Sequence, residues 1–173
     1  KTYSIMKLQH KSLVFFFSLL ISTFSFAQKK VTSPAETVSG KINGATITIK
    51  YGSPSVKGRA IWGALVPYDK VWRAGANDAT TFETDKTITI EGKQLPAGKY
   101  SFFVIPNENE SIIIFNKEAK QWGSYDYKAS SDQLRVTVKN ENGDALVEKL
   151  EYKIMETRIE LLWEKLIIGF EVK

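Results

Sequence analysis

Hydrophobic and polar residues alternate along most of the chain after residue 36, with the period of two that is typical of half-buried β-strands. In residues 45–51, for example, isoleucines alternate with threonines and a lysine. The dipeptide Asn43-Gly44 comes just before them, and both of its positions tolerate positive φ. Residues 37–42 and 45–51 are therefore predicted to form a β-hairpin.

The same alternation predicts further short strands after residue 79. They cover residues 80–84, 87–91, 99–105, 111–116, 134–138, 145–155, 158–164 and 166–172. Residues 95–98, Leu-Pro-Ala-Gly, fit a type I turn, and Asn142-Gly143 fits a hairpin turn. About nine or ten strands at this spacing, with no helical periodicity, predict an all-β antiparallel β-sandwich of the jelly-roll type. A closed barrel is the alternative.

Residues 52–79 break the alternation. Glycines and prolines recur there, and the segment holds two of the four tryptophans. We predict a long ordered crossover with two short strands, around residues 60–62 and 70–73. A loop of this length inside a compact domain is usually functional or packed as a plug.

The first 27 residues have the layout of a secretory signal peptide. A short basic start precedes an apolar run over residues 12–26, and Ser25-Phe26-Ala27 fits a cleavage site. The run has roughly 15 residues, fewer than the ~20 that a membrane-spanning helix needs. We therefore predict a signal peptide with an upstream leader over residues 1–27, a flexible linker over 28–36 and one sandwich domain over 37–173. The protein is expected to be periplasmic or extracellular, and without cysteine it is not a lipoprotein.

Composition narrows the classes of partner and cofactor. The chain has 24 basic and 19 acidic residues. Removal of residues 1–27 takes away three lysines and no acid, so the net charge falls from +5 to +2. The sequence holds no basic cluster larger than Lys29-Lys30, so a nucleic-acid partner is not expected.

The segment after residue 27 contains neither histidine nor cysteine. This excludes nucleophilic catalysis that depends on imidazole, zinc sites built from imidazole or thiolate, and haem held by those ligands. Neither common glycine-rich phosphate loop is present. The sequence therefore indicates no cofactor and no metal. Catalysis would have to rest on carboxylates, lysines, tyrosines or hydroxyls, so an enzyme is less favoured than a binding protein.

Three quoted stretches carry a resemblance to a known family. They are GRAIWGALVPYDKVWRAGAN from residue 58, EGKQLPAGKYSFFVIP from residue 91 and IIIFNKEAKQWGSYDY from residue 112. Together they resemble the domain-of-unknown-function family 2911, a group of secreted bacterial proteins, over roughly residues 33–173. The resemblance implies an exported, mostly β domain. It implies no established activity and no catalytic residues.

The aromatic crossover and a second aromatic loop are the candidate binding sites. Flat aromatic faces beside convergent polar groups are typical of small-molecule and sugar clefts. The candidate ligand-binding residues are Trp62, Tyr68, Lys70, Trp72, Arg73, Asn77 and Trp122. Arg73 could hold a carboxylate or phosphate through two hydrogen bonds, or satisfy loop carbonyls instead. Trp122, Tyr125 and Tyr127 could stack on a ligand or cover a sheet edge.

Two acidic pairs and one loop are weaker candidates. Glu83 with Asp85, and Glu108 with Glu110, could serve a glycosidase-type reaction only if a cleft held them a fixed distance apart. Both pairs flank predicted tight turns, where solvated acids are common. Residues 140–144 offer oxygen ligands and a glycine, but they lack the spacing of a calcium loop, so a hairpin turn explains them.

Three hypotheses follow from these residues. The first is a non-catalytic binding module for a glycan, a small molecule or a cell-envelope partner. The second is a structural or assembly component of the envelope, in which the aromatic residues belong to the core. The third, less favoured, is a hydrolase that works through carboxylates. The sequence leaves the oligomeric state open.

Overall fold

The computed structural model describes residues 33–173. The predicted signal peptide, and the predicted linker as far as residue 32, lie outside the described residues. Nine strands and one 3₁₀ turn make up the regular structure of the described part. They are β1 Ala35–Ile42, β2 Ala45–Gly52, β3 Thr80–Thr84, β4 Ile88–Ile90, β5 Lys93–Leu95, β6 Gly98–Pro106, β7 Glu110–Asn116, the 3₁₀ turn Ala129–Ser131, β8 Asp132–Ile154 and β9 Arg158–Glu171. Between residues 33 and 173, no helix is long and apolar enough to cross a bilayer.

Seven of these strands form one curled antiparallel sheet. Its order is β1-β2-β3-β6-β7-β8-β9, and β4 and β5 form a separate two-stranded hairpin. Apart from that hairpin, neighbours in the sheet follow the order of the chain. The predicted all-β, antiparallel, sandwich-like architecture is confirmed.

The first hairpin forms as the turn dipeptide predicts. Ile42 pairs with Ala45, and the turn between them places Asn43 at φ 48° and Gly44 at φ 77°. Strand β1 begins at Ala35, inside the segment interpreted as a linker, and pairs there with Gly52. Alternate residues of β2 are buried because one face of the hairpin lies against the core.

The long strands β8 and β9 connect the two layers of the sandwich. The first part of β8 pairs with β7, and the rest pairs with β9. The predicted turn at Asn142-Gly143 is wrong, because β8 continues through these residues with shifts of register instead of reversing. The two strands predicted over 158–164 and 166–172 form the single strand β9, in which Glu164 adopts φ 58°.

Two backbone contacts complete the second layer. Residues 53–56 lie beside β8, where the Val56 N–H donates to the Glu148 carbonyl at 2.8 Å. The β4–β5 hairpin joins this layer at the end of the chain, where the Lys173 N–H donates to the Thr89 carbonyl of β4 at 2.9 Å. The second layer therefore consists of the residues that follow β2, the far half of β8, β9 and the β4–β5 hairpin.

The core lies between the layers and is strongly aromatic. Phe102 of β6 and Phe115 of β7 face Phe170 of β9, with ring centroids 5.9 and 6.2 Å from it. A smaller cluster lies on the outer face of β6 and β7, where Val71 and Tyr127 pack over Phe103 and other buried residues. Strands β6 and β7 are thus buried on both faces, as their continuous apolar runs predict.

The crossover between β2 and β3 is ordered and packs against the body of the domain. The two short strands predicted in it are not formed. Trp62 makes a single bridge to Val66, and Trp72 makes one to Val104 at the edge of β6. The Trp72–Val104 bridge holds the second half of the crossover against the sheet, so the residues after it enter β3 from a fixed position.

Candidate functional site

The last turn of the crossover, residues 73–77, is Arg-Ala-Gly-Ala-Asn, and we call it the RAGAN loop. The Ala74 carbonyl accepts hydrogen bonds from the Tyr152 hydroxyl at 2.7 Å and the Thr80 hydroxyl at 2.9 Å. Ala74 itself adopts φ 51°, a conformation that costs energy in a residue with a Cβ. Tyr152 belongs to the second layer and Thr80 to the first, so both layers hold this strained loop in place.

Arg73 and Asn77 stand at the two ends of the RAGAN loop. The Arg73 Nη1–H donates to the Asn77 carbonyl at 2.8 Å, and its guanidinium lies 5.8 Å from the centre of the Tyr125 ring. The Asn77 side-chain amide donates to the Ser33 carbonyl at 3.1 Å. Arg73 therefore satisfies a loop carbonyl and also keeps other N–H groups that have no partner among residues 33–173.

A cavity of about 420 Å³ opens beside the RAGAN loop. We call it the cationic cavity because three of its lining side chains are Lys57, Arg59 and Arg73, and its lining includes no aspartate or glutamate. Within residues 33–173 none of these three cations belongs to an ion pair. The Glu148 carboxylate, which is not part of the lining, accepts a hydrogen bond from the Lys57 backbone N–H at 3.0 Å.

Tryptophans form the apolar side of the cationic cavity. Trp72 and Trp163 line it, and their rings stack with centroids 6.0 Å apart and an angle of 15° between planes. Trp62 packs edge-on against both, at 5.6 and 6.0 Å. The buried indole N–H groups of Trp62 and Trp163 have no hydrogen-bond partner among the described residues. Both nitrogens are buried out of reach of a ligand in the cavity, so Trp163 contributes apolar ring surface to the wall.

A second, larger depression of about 780 Å³ lies on the outer face of β1, β2 and β3, and we call it the outer groove. It meets the cationic cavity at Ala76 and Asn77, which line both. Trp122 stands at its rim with 59% of its surface exposed. Tyr51 also lines the groove, and burial raises the pKa of its hydroxyl.

The structure divides the seven candidate ligand-binding residues between several places. Trp72 and Arg73 line the cationic cavity, Trp122 lines the outer groove, and Asn77 lines both. Trp62 lies behind Trp72, while the Tyr68 ring packs under Gly63. Lys70 is exposed and lines neither depression. The candidates therefore do not surround one common concavity.

The second aromatic loop has mixed roles. Tyr125 is 78% exposed, and its ring lies beside Arg73. The Tyr127 hydroxyl donates to Asp132 at 2.7 Å, and its ring packs edge-on against Phe103. Tyr127 thus packs on the outer face of β6 and β7, whereas the structural alternative for this loop expected it to cover a sheet edge.

Three important lining residues were not among the sequence candidates: Lys57, Arg59 and Trp163. A signal for the first two is present in the sequence. Residues 52–68 contain these two cations and no acid, so the segment carries uncompensated positive charge wherever it packs. Trp163 shares one face of β9 with Ile159 and Leu161, but nothing local in the sequence shows that this face reaches the cavity.

The acidic pairs do not form a catalytic dyad in the structure. Glu83, Asp85, Glu108 and Glu110 are all exposed. The Asp85 carboxylate accepts a hydrogen bond from the Thr46 N–H at 2.7 Å, and this bond lowers its pKa. A general acid needs a raised pKa instead.

Residues 140–144 lie within β8, and residues 33–173 contain no cluster of three acids or other ligands that could hold a metal ion.

The Asp85 contact predicts a dependence of stability on acid. Because the folded-state pKa lies below the ordinary value, the charge stabilises the fold above about pH 4 and loses its effect as the pH falls through the folded-state pKa. Asp85→Asn keeps an acceptor but removes the charge. We expect a lower Tm than wild type at pH 7 and a difference that shrinks towards pH 2. A constant difference over this range, measured by thermal unfolding, would contradict the prediction.

Comparison with known proteins identifies the family. The model of a family described as protein of unknown function, DUF2911, matches residues 33–172 and so covers both depressions. This agrees with the resemblance drawn from the quoted motifs. No curated protein and no solved structure matches the chain.

Proposed function

We propose a binding function for this chain, which belongs to the DUF2911 family of proteins of unknown function: it captures a small molecule with an anionic group in the cationic cavity, without catalysing a reaction. One observation carries the proposal, namely that Lys57, Arg59 and Arg73 line one cavity that has tryptophans on one side and no acid in its lining. Because residues 1–27 have the layout of a signal peptide, the binding would take place in the periplasm or outside the cell.

Electrostatics favours an anion in this cavity. Three like charges near one another repel, and an anion between them relieves that repulsion. Arg59 uses its Nε–H on the Val56 carbonyl at 3.0 Å and its Nη2 on the Ser55 carbonyl at 2.5 Å. These bonds fix the guanidinium and leave part of it without a partner among the described residues. A carboxylate, sulfonate or phosphate can accept from such a group through paired hydrogen bonds.

The tryptophans favour a ligand with a flat or apolar body. Trp72 and Trp163 stand beside the charged groups, together with Leu65 and Val66. A volume of about 420 Å³ is in the range of small-molecule sites, which are mainly apolar with a few placed polar groups. The best fit is therefore an aromatic or otherwise apolar acid. The RAGAN loop is already held by both layers, so little ordering is required when the ligand binds.

The test uses 2-naphthoate and its neutral analogue 2-naphthamide as probes, with affinities from titration calorimetry. We expect 2-naphthoate to bind more tightly and to weaken as salt is added, because the charged groups are partly exposed. The double variant Lys57→Gln/Arg59→Gln should weaken 2-naphthoate binding by about tenfold, since each exposed charge pair contributes roughly 0.2–1 kcal/mol. It should leave 2-naphthamide binding almost unchanged.

A matched control separates local from global charge. Lys139→Gln/Lys165→Gln removes the same number of positive charges from two exposed positions outside the cavity. This control should bind 2-naphthoate as the wild type does. Equal affinity for the two probes, no binding of 2-naphthoate, or equal losses in both double variants would count against the proposal.

A further inference from the structure

The floor of the outer groove is a flat polar surface made by three adjacent strands. Thr37 of β1, Lys50 of β2 and Thr81 of β3 are direct partners across the sheet and all line the groove. Adjacent strands lie about 4.8 Å apart, so these three side chains form a row roughly 10 Å long. The groove is also lined by Glu36 and Lys99. The hydroxyl and ammonium groups of this row thus project together from one face, whereas Glu36, the neighbour of Thr37 in β1, projects from the opposite face.

Trp122 forms an aromatic wall above this floor. Its loop is fixed to the RAGAN side by the bridge between Asp78 and Trp122 and by the Ala79 N–H, which donates to the Gln121 carbonyl at 3.0 Å. At the other side, the Gln121 side-chain amide donates to Asn116 Oδ1 at the end of β7, at 3.2 Å. The indole is therefore largely exposed on a loop that is held at both sides. An exposed aromatic residue on a fixed loop is preorganised for stacking.

This combination fits a sugar chain better than a polypeptide. A pyranose ring has an apolar C–H face that can pack on an indole, and hydroxyls at its edge that can bond to threonine, lysine and carboxylate groups. A polypeptide that adds to a sheet needs an unpaired strand edge. Strands β2 and β3 of the floor are each paired on both sides, and β1 is the edge strand, so a ligand lying across all three strands meets their side chains and not a backbone edge.

We propose that the outer groove is a second binding site, for an oligosaccharide of several pyranose units that stacks one ring on Trp122 and lies over Thr37, Lys50 and Thr81. This site is distinct from the cationic cavity, because its lining, its charge balance and the chemical class of its ligand are different. The acids Glu36 and Asp78 offset part of the positive charge in the groove, whereas the cationic cavity has no acid in its lining.

The experiment titrates the protein with cellohexaose, chitohexaose and maltohexaose, and with the corresponding monosaccharides. We expect at least one hexasaccharide to bind, its monosaccharide to bind much more weakly, and the tryptophan fluorescence to change on binding. Trp122→Ala should weaken binding of that hexasaccharide by about tenfold or more. Tyr125→Ala is the matched control, because Tyr125 is exposed on the same loop and does not line the groove. It should bind as the wild type does.

The two sets of variants test the outer groove and the cationic cavity independently. Trp122→Ala should bind 2-naphthoate normally, and Lys57→Gln/Arg59→Gln should bind the hexasaccharide normally. If none of the three hexasaccharides binds, the oligosaccharide site is overturned, and the proposal for the cationic cavity is unaffected. Equal losses in Trp122→Ala and Tyr125→Ala overturn it as well. So does Trp122-dependent binding of an unglycosylated peptide without binding of any hexasaccharide.

Discussion

Replacement of Gly52 by alanine is expected to lower the free energy of unfolding by at least about 3 kcal/mol, and it can prevent stable folding altogether. A Cβ at this position would lie 2.2 Å from the Ala76 carbonyl oxygen and 2.9 Å from the Ala76 carbonyl carbon. These are backbone atoms, so no change of rotamer relieves the overlap. The Ala76 N–H also donates to the Gly52 carbonyl at 3.2 Å, so separating the two segments breaks a hydrogen bond.

Gly58→Ala is the control for this substitution. Gly58 adopts φ 66°, but a Cβ there would meet nothing within 4 Å. That variant should lose only about 1 kcal/mol from backbone strain. Chemical denaturation followed by circular dichroism measures the free energy of unfolding of both variants. If Gly52→Ala were no less stable than Gly58→Ala, the RAGAN loop would not be packed against the end of β2 as the structure places it.

The contact between Gly52 and Ala76 could not be predicted from the sequence, because it joins segments that are distant along the chain. Alternation and turn dipeptides are local, and they located the first hairpin, β3, β6 and β7 within one or two residues. Asn142-Gly143 has the same local signal as Asn43-Gly44, yet β8 continues through it. The reason is tertiary: β9 pairs with residues 140–142, and residues 53–56 lie beside residues 148–150 further along β8, so a reversal at Asn142-Gly143 would remove both sets of partners.

The candidate sites show the same boundary between local and distant information. Arg73 and Asn77 could be selected because an arginine and an asparagine stand in a glycine-containing aromatic loop. Arg59 and Trp163 could not be assigned to the same site from the sequence, because more than a hundred residues separate Arg59 from Trp163. Only the packing of β9 against the crossover brings both to one cavity. Trp62 carries the same sequence signal as Trp72, but which indole faces the cavity depends on packing.

Asn116 is a second residue whose importance only the structure reveals. It is fully buried at the end of β7. Its amide donates to the Lys128 carbonyl at 3.0 Å and to Asp132 Oδ1 at 2.8 Å. Its Oδ1 accepts from the Glu118 N–H at 3.0 Å and from the Gln121 amide at 3.2 Å. One side chain thus fastens both ends of the loop that carries Trp122.

Asn116→Leu keeps the approximate shape of the side chain and removes all four hydrogen bonds. We expect a loss of about 3–4 kcal/mol, because the Lys128 carbonyl and the Glu118 N–H are left without partners in a partly buried region.

Hydrogen exchange should also speed up over residues 117–128, and oligosaccharide binding at Trp122 should weaken because the wall of the groove is no longer fixed. Asn140→Leu is the control, since Asn140 binds Ser111 and the Asn107 carbonyl and makes no hydrogen bond to this loop. It should lower stability without changing exchange over residues 117–128. Equal exchange in that segment for both variants would mean that Asn116 does not hold the loop, and the rigidity assigned to Trp122 would then need another source.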